Sequence, residues 1–255
     1  MSDPGVAPSP ERAIIVMPTY NERQNLEIMA NRIRSSTPDV DLLVVDDNSP
    51  DGTGDLADKL VETDSHVHVL HRTEKAGLGR AYIAGFNWAL ERDYSLIIEM
   101  DADGSHRPED LPRLLDAARA GADLVIGSRY VPGGSVVNWP KHREVLSKGA
   151  NIYVKLMLGT SVKDATGGYR VYRATTLRKI DLNNVESAGY SFQVDLTVRV
   201  LQAGLSITEV PITFVERELG ASKMSGAVIR ESFFRVAQWG VSAWLHGRTA
   251  ASVRR

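Results

Sequence analysis

Two short acidic runs carry the first chemical signal in this chain of 255 residues. Asp46-Asp47-Asn48-Ser49 follows the apolar run Leu42–Val45, and Asp101-Ala102-Asp103 follows Leu96–Met100. An isolated Asp behind a strand is ordinarily a turn former or an N-cap. Two such clusters at one edge of a sheet offer paired carboxylates. Asp101 and Asp103, two residues apart, can each turn an oxygen toward one hard cation. Oxygen ligands select Mg2+ or Mn2+ over Zn2+. Arg129, Arg143, Arg217 and Lys223 fall in or beside irregular segments. A basic loop residue is usually just solvated. Gathered at the same edge as a cation, these four would form an anion-binding funnel for phosphates.

Other site chemistries are excluded by spacing or by residue type. An EF-hand beginning at Asp101 needs Gly at its sixth position, where His106 stands, and Gly104 comes too early. A P-loop motif occurs nowhere. Gly77-Leu78-Gly79 opens like a dinucleotide fingerprint, but its third glycine position is Tyr82 and no strand ends just before it. His66 and His68 share one face of an expected strand with His71 beyond, yet no third-ligand pattern makes them a zinc site. With no cysteine there is no disulfide, thiolate metal site or cysteine nucleophile, which suits a reducing compartment. Thirty basic against 32 acidic residues give a formal net charge of −2, which offers nucleic acid no general attraction. No apolar run approaches the roughly 18 to 20 residues that span a bilayer. Met1–Arg12 is Pro-rich without an apolar centre and does not read as a secretory signal. The expectation is a soluble cytoplasmic protein.

The elements that must position these residues alternate in type. Ala13–Pro18, Leu42–Asp47, Val67–Leu70, Leu96–Asp101 and Asp123–Gly127 read as strands buried on both faces. Helices are expected at Glu22–Ser35, Asp55–Thr63, Gly79–Arg92 and Pro108–Ala120, the last with Pro and acids in its first turn. This alternation implies an α/β fold, a doubly wound and mostly parallel sheet with helices on both faces. Val131–His142 reads as a loop, Glu144–Leu158 as a helix, Thr166–Tyr172 as a strand and Phe192–Ala203 as a helix. Ser206–Phe214 reads as one strand, with Pro211 marking an edge, and Arg217–Ser225 as a mobile polar stretch. From Ala227 to Leu245 a narrow polar stripe (Glu231, Arg235, Gln238, Ser242) is surrounded by two Phe, two Trp and aliphatic residues. The expected organisation is a tail over 1–12, one catalytic domain over 13–226, an amphipathic helix over 227–247 and a basic tail over 248–255.

In these blocks the sequence resembles family 2 glycosyltransferases of GT-A fold, and within them the polyprenyl-phosphate (dolichol-phosphate) mannose synthases. The matching blocks are Pro18-Thr-Tyr-Asn-Glu-Arg23, Val44-Val-Asp-Asp-Asn-Ser-Pro-Asp-Gly-Thr53, Lys75-Ala-Gly-Leu-Gly79 and Met100-Asp-Ala-Asp-Gly-Ser-His106. Gly127-Ser-Arg-Tyr130, Trp139-Pro140 with Arg143, Gly167-Gly-Tyr-Arg170 and Gly220-Ala-Ser-Lys223 follow in family order. The resemblance implies transfer of mannose from GDP-mannose to a polyprenyl phosphate, with inversion to a β-mannosyl phosphate. It implies a nucleoside pocket of Pro18, Tyr20, Glu22, Val45 and Asp47, with Glu22 toward the ribose and Asp47 toward the base. It further implies a metal bound by Asp101 and Asp103, with Ala102 contributing backbone. Ser105 stands where the family often has Gln, and its shorter hydroxyl leaves room for an intervening water. Arg129, Arg143, Arg217 and Lys223 match positions that bind donor diphosphate or acceptor phosphate. Asp103, Arg129 and Arg143 are the residues expected to act on the reacting groups.

A phosphate monoester acceptor is already anionic near neutral pH, its second pKa being about 6, so it needs no general base. Asp195 could serve as a base by position, although a structural or orienting role suits it better. The Q-x-x-R-W motif of processive members is absent, consistent with a single transfer. A relative using UDP-glucose, a nucleotidyltransferase and a non-catalytic binding subunit are the competing readings. The lipid acceptor implies peripheral contact with the cytoplasmic face of a membrane or an integral-membrane partner. The 227–247 helix could lie on that membrane or pack on the sheet, and its apolar arc is wide enough for either.

Overall fold

The computed structural model describes residues 11–182, 185, 190–217 and 234–239. In chain order the first half runs β1 (Ala13–Thr19), α1 (Arg23–Ser36), β2 (Asp41–Asp46), α2 (Thr53–Thr63), β3 (Val67–His71), α3 (Leu78–Leu90) and β4 (Leu96–Glu99). A 3-10 turn at Pro108–Asp110 leads into α4 (Leu111–Arg119) and β5 (Leu124–Ser128). The second half contains β6 (Ser135–Val137), α5 (Lys141–Leu158), β7 (Arg170–Arg173), α6 (Ala174–Lys179), α7 (Tyr190–Gln202), β8 (Ile207–Pro211) and β9 (Thr213–Val215).

The main sheet has the order β3-β2-β1-β4-β7-β5-β8. All neighbours are parallel except β7, which runs antiparallel between β4 and β5. Successive strand residues feed opposite cores. Ile14 and Val16 of β1 join Leu43, Val45 and Ile97 under α3, α5, α6 and α7. Ile15 and Met17 join Leu42, Val44 and Ile98 under α1, α2 and α4. A sheet covered on both faces is why its strands are near-continuous apolar runs. Gly85 lets α3 approach this sheet, since a Cβ there would lie 2.3 Å from Val16 Cγ1.

Three expectations need correction. The strand read over Thr166–Tyr172 begins only at Arg170 and runs to Arg173. Val131–His142 is not all loop: Ser135–Val137 pairs in parallel with β9, and α5 already begins at Lys141. Gly134, which suggests a loop by its type, is required there by close approach, because a Cβ would meet the Ser128 carbonyl at 2.5 Å. Ser206–Phe214 is two strands rather than one. Ile212 donates its N–H to Ser128 O at 3.1 Å and accepts Ser135 N–H at 3.0 Å, so the chain crosses there from the large sheet to the small one. Pro211 does lie on an edge strand, since β8 ends the large sheet. The tail over 1–10 and most of the 227–247 helix lie outside the described residues. Within 234–239 the chain is helical, and Val236 is buried in the core under α7.

Where β7 reverses the strand direction, a polar network replaces apolar packing. Gln193 Nε2 donates to Glu99 Oε1 at 2.8 Å and Tyr172 Oη to Glu99 Oε2 at 3.2 Å. Burial pushes the Glu99 carboxyl up to about 7, against the opposing pull of Arg170 and the two hydrogen bonds. The unfolded chain releases that proton near the ordinary value of 4.5, so the folded state binds more protons between about pH 4.5 and 7. Stability therefore falls as pH rises through this window, by about 3 kcal/mol from this group. Urea unfolding at pH 5 and pH 8 should show that loss in the native chain and a flatter profile in Glu99→Gln.

Candidate active site

The C-terminal ends of β1, β2, β4 and β5 meet at one edge, and the chemistry-bearing side chains collect there. At β1 and β2 the acidic pair divides its duties. Asp46 accepts from Thr19 Oγ1 at 3.0 Å and from the Ser49 N–H at 3.0 Å, which builds the turn. Asp47 instead faces Arg72, whose guanidinium bonds its Oδ1. Burial raises the Asp47 carboxyl above its usual range in spite of that partner. Lys75 lies 3.9 Å above the ring of Tyr20. Glu22 is buried at the N-terminus of α1, where its N–H donates to Thr53 Oγ1 and its Oε2 accepts from Asn25 Nδ2 at 2.8 Å. Pro18 and Val45 pair across the strands. The Val45 side chain is wholly buried in the core, so it can offer a ligand only backbone.

At β4 the loop from Asp101 to His106 holds the second acidic pair. Tyr82 Oη donates to Asp101 Oδ1 at 2.7 Å. Ser105 N–H donates to Asp103 Oδ1 at 3.0 Å, and Arg217 bonds Asp103 Oδ2. Burial pushes the Asp101 carboxyl up and the nearby Asp103 charge adds to it, while the Tyr82 hydrogen bond and Arg217 oppose. Two carboxylates this close in the chain are suited to sharing a divalent cation. Among the described residues no group of three or more His, Asp or Glu side chains could hold a metal unaided. Asp101 and Asp103 would thus hold the ion with oxygens from elsewhere, such as a donor diphosphate. Ala102 is buried between them.

The arginines do not form a bare cationic funnel. Arg129 is buried and bonds Asp164 through Nε at 2.8 Å and Nη2 at 2.6 Å, with Thr166 Oγ1 at 3.0 Å. Burial alone would raise the Asp164 carboxyl, but the Arg129 ion pair and hydrogen bonds hold it below its ordinary value. Arg143 bonds Glu216 and lies 4.5 Å over the Trp139 ring, which meets Phe214 edge-on at 5.2 Å. The Trp139 indole N–H is the one buried side-chain polar atom among the described residues without a hydrogen-bond partner. Glu216 and Arg217, consecutive in the chain, thereby reach Arg143 and Asp103 respectively. Asp195 pairs with Arg199 along α7 at 2.7 Å, a structural placement. Lys223 lies outside the described residues.

Sequence reasoning missed Tyr82, Arg72, Asp164 and Glu216. Tyr82 stacks on Phe86 four residues on along α3, the placement of a core aromatic, and its type and spacing give no sign of the bond to Asp101. Asp164 and Glu216 are identified only through partners 35 and 73 residues away.

The comparisons with known proteins agree with this architecture. Residues 14–181 match Glycosyl transferase family 2, and the chain belongs to that family. A polyprenol monophosphomannose synthase of Mycolicibacterium smegmatis is 60% identical over 240 residues, covering 94% of this chain and 91% of that one. An undecaprenyl-phosphate mannosyltransferase of Micrococcus luteus is 57% identical over 239 residues, covering 94% and 98%. The solved glucosyl-3-phosphoglycerate synthase of Mycobacterium tuberculosis, in complex with Mn2+ and UDP-glucose, shares the fold with TM-score 0.65 at 17% identity. It covers 92% of this chain and 79% of its own.

Removing one member of a buried ion pair strands the other charge, at a cost of about 3–5 kcal/mol. Asp164→Ala should lose that much stability in urea unfolding, whereas Asp58→Ala, whose partner His71 is exposed, should lose under about 1 kcal/mol.

Proposed function

We propose that this chain transfers mannose from GDP-mannose to a polyprenyl phosphate, yielding β-mannosyl phosphopolyprenol and GDP with the help of Mg2+ or Mn2+. One observation carries the reading. Two relatives with well over half their residues identical, each matched almost end to end, are named for mannosyl transfer or mannose-phosphate synthesis on a polyprenol carrier. The site chemistry supports it. Asp101 and Asp103 would hold the divalent ion, which when bound would supply Lewis-acid stabilisation of the departing diphosphate. Asp47 and Tyr20 would contact the nucleoside, and Arg217 can pass from Asp103 to a phosphate oxygen. Arg143 can likewise exchange Glu216 for the acceptor phosphate, with Trp139 beneath it. Arg129, already fixed by Asp164, keeps a positive charge beside that position. An acceptor phosphate oxygen then forms a bond to the anomeric carbon as the bond to the GDP oxygen breaks, its electron pair leaving with GDP. Attack from the face opposite the leaving group inverts the configuration.

The lipid acceptor calls for a membrane-facing surface. Among the described residues no helix is long and apolar enough to cross a bilayer. Helix α5 instead presents an apolar stripe to solvent, with Val145 70%, Leu146 49%, Ile152 59% and Leu156 77% exposed. Lys141, Lys148 and Lys155 lie along the same helix, and Arg143 is in its first turn. An apolar face flanked by Lys suits a helix lying in the interface of an anionic lipid surface. That surface would bring the acceptor phosphate to Arg143.

Incubation with each labelled nucleotide sugar, Mg2+ or Mn2+ and a polyprenyl phosphate should put label into lipid from GDP-mannose. Label from UDP-glucose alone, or release of pyrophosphate, would overturn the reading. Asp103→Ala should lower transfer at least 100-fold with the fold retained by circular dichroism. Ile152→Asp combined with Leu156→Asp should weaken sedimentation with anionic phospholipid vesicles about tenfold, while transfer to a short-chain, water-soluble acceptor stays near normal.

A further inference from the structure

The strand ladder of β4 stops one residue short of the proposed metal carboxylates. Met100 N–H still donates to Val16 O at 3.3 Å, but the next N–H, that of Asp101, has no strand to reach. It donates instead to Nδ1 of His106 at 3.1 Å. The imidazole thus closes the Asp101–His106 segment on itself, with Gly104 turning the chain at φ +78° and Ser105 N–H bonded to Asp103. Accepting at Nδ1 requires the tautomer with its proton on Nε2.

The ring has little room to shift. His106 is 2% exposed, stacks on Tyr169 with centroids 5.1 Å apart, and meets Phe214 edge-on at 5.5 Å. Its backbone bridges to Phe214, and Val215 N–H donates to Ser105 O at 3.2 Å. Beneath it, a Cβ on Gly168 would stand 3.4 Å from His106 Cε1 and 3.7 Å from Asp101 Oδ2.

We infer that His106 is a positioning residue for the reaction: as a hydrogen-bond acceptor it fixes the backbone of Asp101, and hence the angle at which that carboxylate meets the cation. The inference rests on the metal reading above. It separates two jobs of one side chain, acceptor and packed ring, which different substitutions remove. His106→Phe retains a flat ring against Tyr169 and Phe214 but leaves the Asp101 N–H unpaired. His106→Asn places an oxygen where Nδ1 was but gives up the ring.

The test measures Mn2+ binding in the presence of saturating GDP, by the electron paramagnetic resonance signal of free Mn2+. His106→Phe should bind Mn2+ about tenfold more weakly than the native chain. His106→Asn should stay within about threefold of native, even though its lost packing lowers Tm. A role in packing alone predicts the reverse order, and either a native constant in His106→Phe or weaker binding by His106→Asn than by His106→Phe overturns the assignment. Should His106→Phe fail to fold, a tenfold loss in His106→Asn alone overturns it. Absence of Mn2+ binding by the native chain with GDP would remove the metal reading itself, and the role of His106 with it.

Discussion

A guanidinium with no access to water sits where the main sheet changes direction. Arg170 is wholly buried at the start of β7 and must find its partners inside the protein, since an unpaired buried charge costs several kcal/mol. It donates to the carbonyls of Gly167, Ala165 and Gln193 and to Tyr172 Oη. Those acceptors belong to the loop before β7, to β7 itself and to α7. One side chain therefore fixes how the antiparallel strand, its approach and the helix behind it meet. The loop that Arg170 grips carries Asp164 and Thr166, which in turn hold Arg129. The reach of Arg129 into the site is set from the core outward.

The same rule of local neutrality governs the edge of the sheet. A formal net charge of −2 over 255 residues hides tight pairing: Asp47 with Arg72, Asp103 with Arg217, Asp164 with Arg129 and Glu216 with Arg143. These pairs are not equivalent. The Arg129–Asp164 pair is sealed and bidentate, whereas Arg143 and Glu216 each keep about a quarter of their side chains exposed. The sealed pair keeps its guanidinium fixed. A half-open pair can exchange its carboxylate for a phosphate at less cost, because the freed carboxylate turns to water.

Much of the fold was legible because strands buried on two faces cannot alternate polar and apolar residues, and β1, β2, β4 and β5 read as continuous apolar runs with ends displaced by a residue or two. The three-residue β6 carried no such signal, since it is largely exposed and preceded by two glycines. The break at Ile212 was invisible for a related reason: a strand leaving one sheet for another keeps the composition of a strand throughout. In the site, Asp101 and Asp103 were recognisable by their place behind β4. Their supports were not. Tyr82 has the sequence neighbours of a core aromatic, and His106 reads as an ordinary loop residue until its ring is seen to take the Asp101 N–H.

Glu216 and Arg217 follow directly after β9, one reaching Arg143 and the other Asp103. Opposite charges on adjacent residues thus address the two ends of the site from a single peptide unit. A substitution that shifts this unit displaces both contacts together, so variation here is pleiotropic. Loosening the contact to Arg143 alters that to Asp103, and a compensating change must reach both α5 and the Asp101–His106 loop. The segment behaves as a shared lever, and the two half-sites cannot drift independently.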